Sequence, residues 1–157
     1  MGDKNYANLA PRINNRRALH EYFIEAKLEC GIALYGSEVK SLRLGRAQLQ
    51  DSFARIERGE LILHNCHIEA YENAAGGVGH IAKRERKLLA HRREIHRLEQ
   101  ETAVKGVTLI PLAIYFKEGR AKVELGVARG KQQHDKRESI KKKEQDRELR
   151  RAMTRRG

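Results

Sequence analysis

The chain has 157 residues, enough for one domain with a real core plus an arm. Its 33 Lys and Arg against 21 Asp and Glu give a formal charge of +12, a field that recruits polyanions, so the partner classes are nucleic acid or an anionic membrane. No apolar run approaches the roughly 18 residues of a membrane span, and Met1 to Ala10 holds no apolar signal core, so a soluble, cytoplasmic protein without membrane attachment is expected.

In chain order, residues 1–14 read as a flexible amino terminus, 15–128 as a compact β-rich domain and 129–157 as a basic tail. Tyr22 to Leu34 carries apolar residues without a helical stripe and predicts a long, bent strand, with Gly31 marking the bend or bulge. Gly36-Ser37 opens a short helix with Ser37 as N-cap, Glu38 at its positive start and Gly45 ending it. Ala47 to Glu57 and Glu60 to Ile68 predict two strands around a tight Arg58-Gly59 turn. A Gly-rich connection, Gly76-Gly77-Val78-Gly79, follows. Beyond it Leu88, His91, Ile95 and Leu98 share one helical face. Val107 to Phe116 and Arg120 to Ala128 predict a hairpin turning at Glu118-Gly119. In its second strand Ala121, Val123, Leu125 and Val127 alternate with Lys122, Glu124 and Gly126. The expected fold is mainly β: a small closed antiparallel barrel of the oligonucleotide-binding (OB) type with two or three flanking helices.

The tail from Arg129 to Gly157 holds 12 basic and 5 acidic residues and no aromatic one. It cannot bury enough surface to offset the ordering of its backbone. Glu138 with Lys142, and Asp146 with Arg150, stand at i,i+4 spacing and favour a helix slightly. A tail disordered when free, and helical against a polyanion, is the expectation.

Candidate enzyme chemistry is sparse. The Gly-rich loop lacks the Gly-Lys-Ser/Thr ending of a phosphate loop. On a strand His64 and Cys66 share one face while His67 points to the other, without a second pair at zinc-ligand spacing. Cys30 and Cys66 read as buried, reduced thiols. Asp51, Glu57 and Glu60 are too scattered to hold the ions of a metal-dependent nuclease. No cofactor, metal or enzymatic activity is expected. Basic clusters are better developed: Arg16-Arg17, Arg43 with Arg46, the run Lys83-Arg84-Glu85-Arg86-Lys87, and the tail. Such clusters neutralise phosphates and release counterions. Aromatics are only 5% of the chain and there is no Trp, which points to a folded RNA read by shape, phosphate and sugar rather than to rows of stacked bases. Glu29 and Glu38 interrupt the positive surface; an acidic group there could accept from a base or a ribose hydroxyl.

Five segments, in order from about Asn15 to Arg151, resemble the SsrA-binding protein (SmpB, small protein B) family. They are Asn15–Ile24 (NRRALHEYFI), Gly36–Arg43 (GSEVKSLR), Arg84–Leu89 (RERKLL), Gly119–Glu124 (GRAKVE) and Gly130–Arg137 (GKQQHDKR). The resemblance implies an OB-type barrel that binds the tRNA-like domain of transfer-messenger RNA. It implies delivery of that RNA, with elongation factor Tu and GTP, to stalled ribosomes by a monomeric protein. By the same resemblance Glu29, Leu89 and Lys122 hold the RNA, supported by Asn15, Arg16, Arg17, His20, Lys87 and Lys131. The tail residues His134, Asp135, Lys136 and Arg137 would meet the decoding centre of the small-subunit rRNA. The cations Lys141, Lys142, Lys143, Arg147, Arg150 and Arg151 would follow the empty mRNA channel. Read locally, Leu89 also fits a core position and Lys122 an outward strand position. Three departures stand out: Leu19 for a usual basic residue, Ala82 for a usual Pro, which predicts a looser loop, and Gln132 for a frequent Lys. A ribosome-associated structural or assembly protein that binds folded rRNA is the alternative.

Overall fold

The computed structural model of the chain describes residues 10–70, 80–131 and 133–156; for 133–139 and 154–156 it describes the backbone alone. The Gly-rich connection Gly76–Gly79 and the Gln132 departure lie outside the described residues. The described elements, in order, are β1 (Ile13–Asn14), α1 (Arg16–Glu21), β2 (Tyr22–Ile32), α2 (Gly36–Arg43), β3 (Ala47–Gln48), β4 (Phe53–Glu57), β5 (Glu60–His64), β6 (His67–Ile68), β7 (Arg86–Leu89), α3 (Arg92–Thr102), β8 (Val107–Lys117), β9 (Arg120–Gly130) and α4 (Gln133–Arg156).

The chain is mainly β with a large antiparallel sheet. Its strand order is β1-β8-β4-β5-β7-β2-β9, and β8 also pairs with β9, so the pairings return to β8. Both predicted hairpin turns are present. Arg58 (φ 51°) with Gly59 (φ 77°), and Glu118 (φ 53°) with Gly119 (φ 77°), place both central residues in the left-handed region. That is the two-residue turn whose twist matches antiparallel strands. The two strands predicted around Arg58-Gly59 are each broken. Asp51 (φ 64°) and Asn65 (φ 59°) turn the backbone, and the outer pieces β3 and β6 pair with each other apart from the main sheet. Asn and Asp tolerate this conformation because their short polar side chains bond locally.

The bend of β2 is not at Gly31 but between Ile24 and Ala26, where the register against β9 shifts. This bulge changes which side even-numbered residues face. Ala26, Leu28, Cys30 and Ile32 belong to the main core, whereas Tyr22 and Ile24 pack into a second, outer cluster. A matching shift in β8 between Pro111 and Ala113 puts Ile110 and Leu112 in that outer cluster and Leu109 and Ile114 in the main one. The unbroken apolar run of β8 is therefore buried on both sides, and α1 covers the outer cluster through Ala18.

Two further expectations change. Leu88 is not helical: it lies buried in the short strand β7, and α3 begins only after His91, whose N–H donates to Glu94 Oε1 at 3.1 Å. Helix α2 is capped by Tyr35 rather than Ser37; the Tyr35 N–H donates to Glu38 Oε1 at 2.8 Å, and Gly45 (φ 72°) follows the helix as expected. Both cysteines are free and buried, and burial pushes their thiols up, Cys30 to about 12 and Cys66 to about 11. Ala82 is tied down rather than loose at its carbonyl, which accepts from the Ile68 N–H (3.0 Å) and from Arg86 Nη2 (2.9 Å). No helix among the described residues is long and apolar enough to cross a membrane.

Candidate nucleic-acid interface

Strand register assembles the first group of predicted residues. Tyr115 of β8 stands opposite Lys122 of β9, Lys122 opposite Gly31 of β2, and Gly31 opposite Leu89 of β7. One row thus crosses four strands. Side chains two apart on a strand share a face, so Glu29 lies beside Gly31, and Lys87 beside Leu89. Inward neighbours Val123, Cys30 and Leu88 are in the core, which leaves this row on the outer surface. Leu89 is half exposed, so its core reading is overturned; it is an apolar side chain kept at the surface. Lys122 is half-buried on the outward side of β9.

Gly31 lets Leu89 lie flat on the sheet. A Cβ on Gly31 would meet Leu89 Cβ at 3.2 Å and its Cδ1 at 3.4 Å. The glycine is therefore a close-approach position, where sequence reading placed a bend.

Glu29 is oriented from two sides. Tyr115 donates its hydroxyl proton to Oε2, and Lys117 Nζ lies 3.4 Å from Oε1. The Tyr115 hydrogen bond is the main reason its carboxyl titrates below the ordinary 4.5, with Lys117 and Lys122 adding to the effect. Glu29 is thus an anionic acceptor on a face otherwise rich in cations. Arg12 covers the Tyr115 ring at 4.8 Å and reaches Glu124 at 3.2 Å, so the tyrosine is itself held. Neither Tyr115 nor Arg12 was singled out from sequence. Tyr115 sat inside an apolar run, and the signal was its place two residues before Lys117 in the outward register.

The second group lies at the other end of the β2–β9 ribbon. Arg16, Arg17 and His20 are exposed on α1, which runs directly into Tyr22. Lys131 joins them: its N–H donates to the Glu21 carbonyl at 2.9 Å and its ammonium to the Leu19 carbonyl at 3.1 Å. Its ammonium also lies 4.9 Å from the centre of the Phe23 ring. Leu19, the departure from a basic residue, is 62% exposed among these cations. Asn15 does not present its side chain to a ligand. It is buried, its amide donates to the Pro111 carbonyl at 2.9 Å, and its Oδ1 accepts from the Ala18 N–H at 3.3 Å, capping α1.

The central basic run divides in two. Arg86 is fully buried and pairs with Glu38, also fully buried. It donates to the carbonyls of Cys66 (2.6 Å) and Ala82 (2.9 Å) as well. Arg84 reaches the other Glu38 oxygen and stacks at 4.0 Å on the Tyr35 ring. Burial pushes the Glu38 carboxyl up, but hydrogen bonds from Arg84, the Tyr35 N–H and Arg86 outweigh it and leave it below the ordinary value. Glu38 is therefore internal and does not contact a ligand, and two of the run's cations hold α2 against β7. Lys87, 3.3 Å from Glu60, stays outside.

The tail follows β9 as the helix α4, with its side chains exposed from Ile140 to Met153, Lys141, Lys142, Lys143, Arg147, Arg150 and Arg151 among them. The backbone of His134, Asp135, Lys136 and Arg137 lies in the first turns, and their side chains are outside the described set.

The chain matches known proteins over most of its length. Residues 12–155 match the family model for SmpB protein. The SsrA-binding protein of Geobacillus thermodenitrificans (strain NG80-2) is 53% identical over 139 residues, covering 88% of this chain and 89% of that protein. The SsrA-binding protein of Caldicellulosiruptor bescii is 51% identical over 155 residues, covering 98% and 97%. A solved structure described as "tmRNA-SmpB: a journey to the center of the bacterial ribosome" is 49% identical in sequence, with a TM-score of 0.67 over 83% of this chain and 95% of that one.

Proposed function

Since the chain belongs to the SmpB protein family, we propose that it is an RNA-binding factor of trans-translation: it binds the tRNA-like domain of transfer-messenger RNA and takes it to stalled ribosomes. The observation that carries this reading is the gathering of Glu29, Lys87, Leu89 and Lys122 on one outer face from three different strands. A cation for phosphate, an oriented carboxylate for a hydroxyl or amine, and an apolar side chain for a ribose or base suit a folded RNA. The α1 group with Lys131 supplies a second set of phosphate contacts. The ring of paired strands is read as an OB-type barrel, and the protein as a cytoplasmic monomer that acts by binding, without a catalytic step. Elongation factor Tu with GTP reaches it through the RNA.

The tail has a separate task. A helix this basic, with no core of its own, is disordered in free solution and orders against the phosphate walls of an empty mRNA channel. His134, Asp135, Lys136 and Arg137 lie at its root, where the decoding centre would be met.

Fluorescence-anisotropy titration with the tRNA-like domain, beside an elongator tRNA and across a salt series, tests the RNA reading. A strong preference for the former at physiological salt is expected. Equal affinities that collapse together as salt rises would mean that charge alone binds RNA, and an rRNA-bound ribosome component would become the better account. Truncation after Lys131, which keeps that second contact group whole, should leave this binding nearly intact and abolish rescue in a stalled-ribosome translation assay. A loss of RNA affinity as large as that from Lys122→Ala would overturn the division of labour.

A further inference from the structure

The RNA face does not stop at Leu89. Beyond Gly31 the chain leaves β2 through Ala33, whose N–H donates to the Lys87 carbonyl at 2.9 Å, and reaches Tyr35. Ala33, Leu34, Tyr35, Ile62, Arg84 and Lys87 form the working surface of an open groove of about 330 Å³, which Glu85 also lines. Lys87 is common to the groove and to the face described above. Ile62 stands opposite Lys87 in the register, so the floor is a continuation of the same outer surface.

Tyr35 is the unusual member. It is 60% exposed, one of few large aromatic surfaces that the described residues offer to solvent. Arg84 stacks on its ring at 4.0 Å while gripping the buried Glu38. The Tyr35 backbone is fixed by Glu38 as well. One buried carboxylate thus anchors both the aromatic residue and the guanidinium beneath it. Local acidity is already engaged: Glu85 lies 3.4 Å from His64 Nδ1 and Glu60 lies 3.3 Å from Lys87. The same pairs engage the cations, Arg84 with Glu38 and Lys87 with Glu60, so a phosphate beside the apolar floor would take Lys87 from the exposed Glu60. An aromatic plate backed by a cation, next to an apolar floor and a lysine, is what an unpaired base and its phosphate require.

We infer that Tyr35 is a stacking platform for one unpaired nucleobase of the RNA that occupies the Glu29–Leu89–Lys122 face, with Lys87 on the adjoining phosphate. This rests on the RNA-binding reading above and extends it: the RNA is read by shape on the sheet and by a single stacked base at its end.

The chain has no Trp, so Tyr35→Trp in the full-length protein places a sole indole at the platform. Titration with the tRNA-like domain should quench its emission over the same concentrations at which anisotropy reports binding. A Val104→Trp reporter, exposed just after α3 and in neither contact group, should respond much less. Tyr35→Phe should bind like the parent, and Tyr35→Leu, which keeps bulk without a ring, should bind about tenfold more weakly. Unchanged circular dichroism and melting temperature separate this from misfolding. Full RNA binding by anisotropy with an unquenched indole at position 35, or parental affinity in Tyr35→Leu, would overturn the platform and leave the RNA-binding reading standing. Quenching by small ribosomal subunits but not by the tRNA-like domain would overturn it too. Failure of the parent to bind the domain at all would remove both.

Discussion

At the scale of single residues, the same side-chain types serve opposite ends. Glu29 and Glu38 both interrupt a basic surface in the sequence. One is an oriented acceptor at the surface; the other is sealed inside with two arginines. Tyr115→Phe deletes the hydroxyl that orients Glu29 while keeping the ring under Arg12. It should cost several-fold in affinity for the tRNA-like domain and reduce its preference over elongator tRNA, with stability nearly unchanged; anisotropy and urea unfolding check the two parts. Gly31→Ala should displace Leu89, and its loss of RNA affinity should approach that of Leu89→Ala, measured side by side. Glu38→Gln leaves Arg86 buried without its counter-charge, and should destabilise the fold by about 3–5 kcal/mol in urea titration. The Glu38 carboxyl titrates lower in the folded chain than in the unfolded one. Its contribution to stability is therefore complete above the ordinary 4.5 and is lost as pH falls through the depressed folded value. The acid limb of a pH-dependent melting series should flatten in Glu38→Gln.

At the scale of elements, legibility tracked how locally each was determined. The β8–β9 hairpin was readable because alternation and a Gly at the turn are local signals. Both turns nevertheless hold a non-glycine residue at positive φ, Arg58 and Glu118. Glu118→Asn should add a few tenths of a kcal/mol, and Gly119→Ala should remove about 1–2 kcal/mol, in chemical denaturation. β7 was missed because four residues are too few to show a period, while Leu88 happens to fall three, seven and ten positions before His91, Ile95 and Leu98. The bulge in β2 was misplaced because Gly31 announces it in composition, whereas the true shift at Glu25 arises from the need to serve two apolar clusters. Likewise the run from Lys83 to Lys87 showed its charge but not that Arg84 and Arg86 are matched by Glu38, more than forty residues earlier. The resemblance to a known family named surface positions that no local signal ranked, Leu89 above all. Charge alone could not sort exposed from interior arginines.

For the whole molecule, the proposed reading gives the sheet and the tail different partners. Cutting after Lys131 removes ten basic and five acidic residues and lowers the formal charge from +12 to +7. If the tail serves the ribosome and the sheet serves the RNA, the dependence of RNA affinity on salt should keep nearly the same slope after truncation, because that slope counts neutralised phosphates. A slope much shallower in the truncated chain would show the tail lying on the RNA.

The two groups of proposed contact residues also stand at opposite ends of one β ribbon, α1 with Lys131 at Tyr22 and the Leu89–Lys122 row at Gly31. Nine residues of strand place them about 30 Å apart along the chain. Pairing with β9 on one side holds the strand along this length on both sides of the bulge at Glu25, which makes the spacing stiff. On the proposed RNA reading the ribbon would work as a caliper. An RNA satisfies both jaws only if its own backbone presents two contact points at that separation, and many loosely charged RNAs that touch one jaw are released. Discrimination by such a gauge depends on the length of the RNA's fold, and inserting or deleting a base pair between the two contact points should abolish tight binding without altering any nucleotide the protein touches.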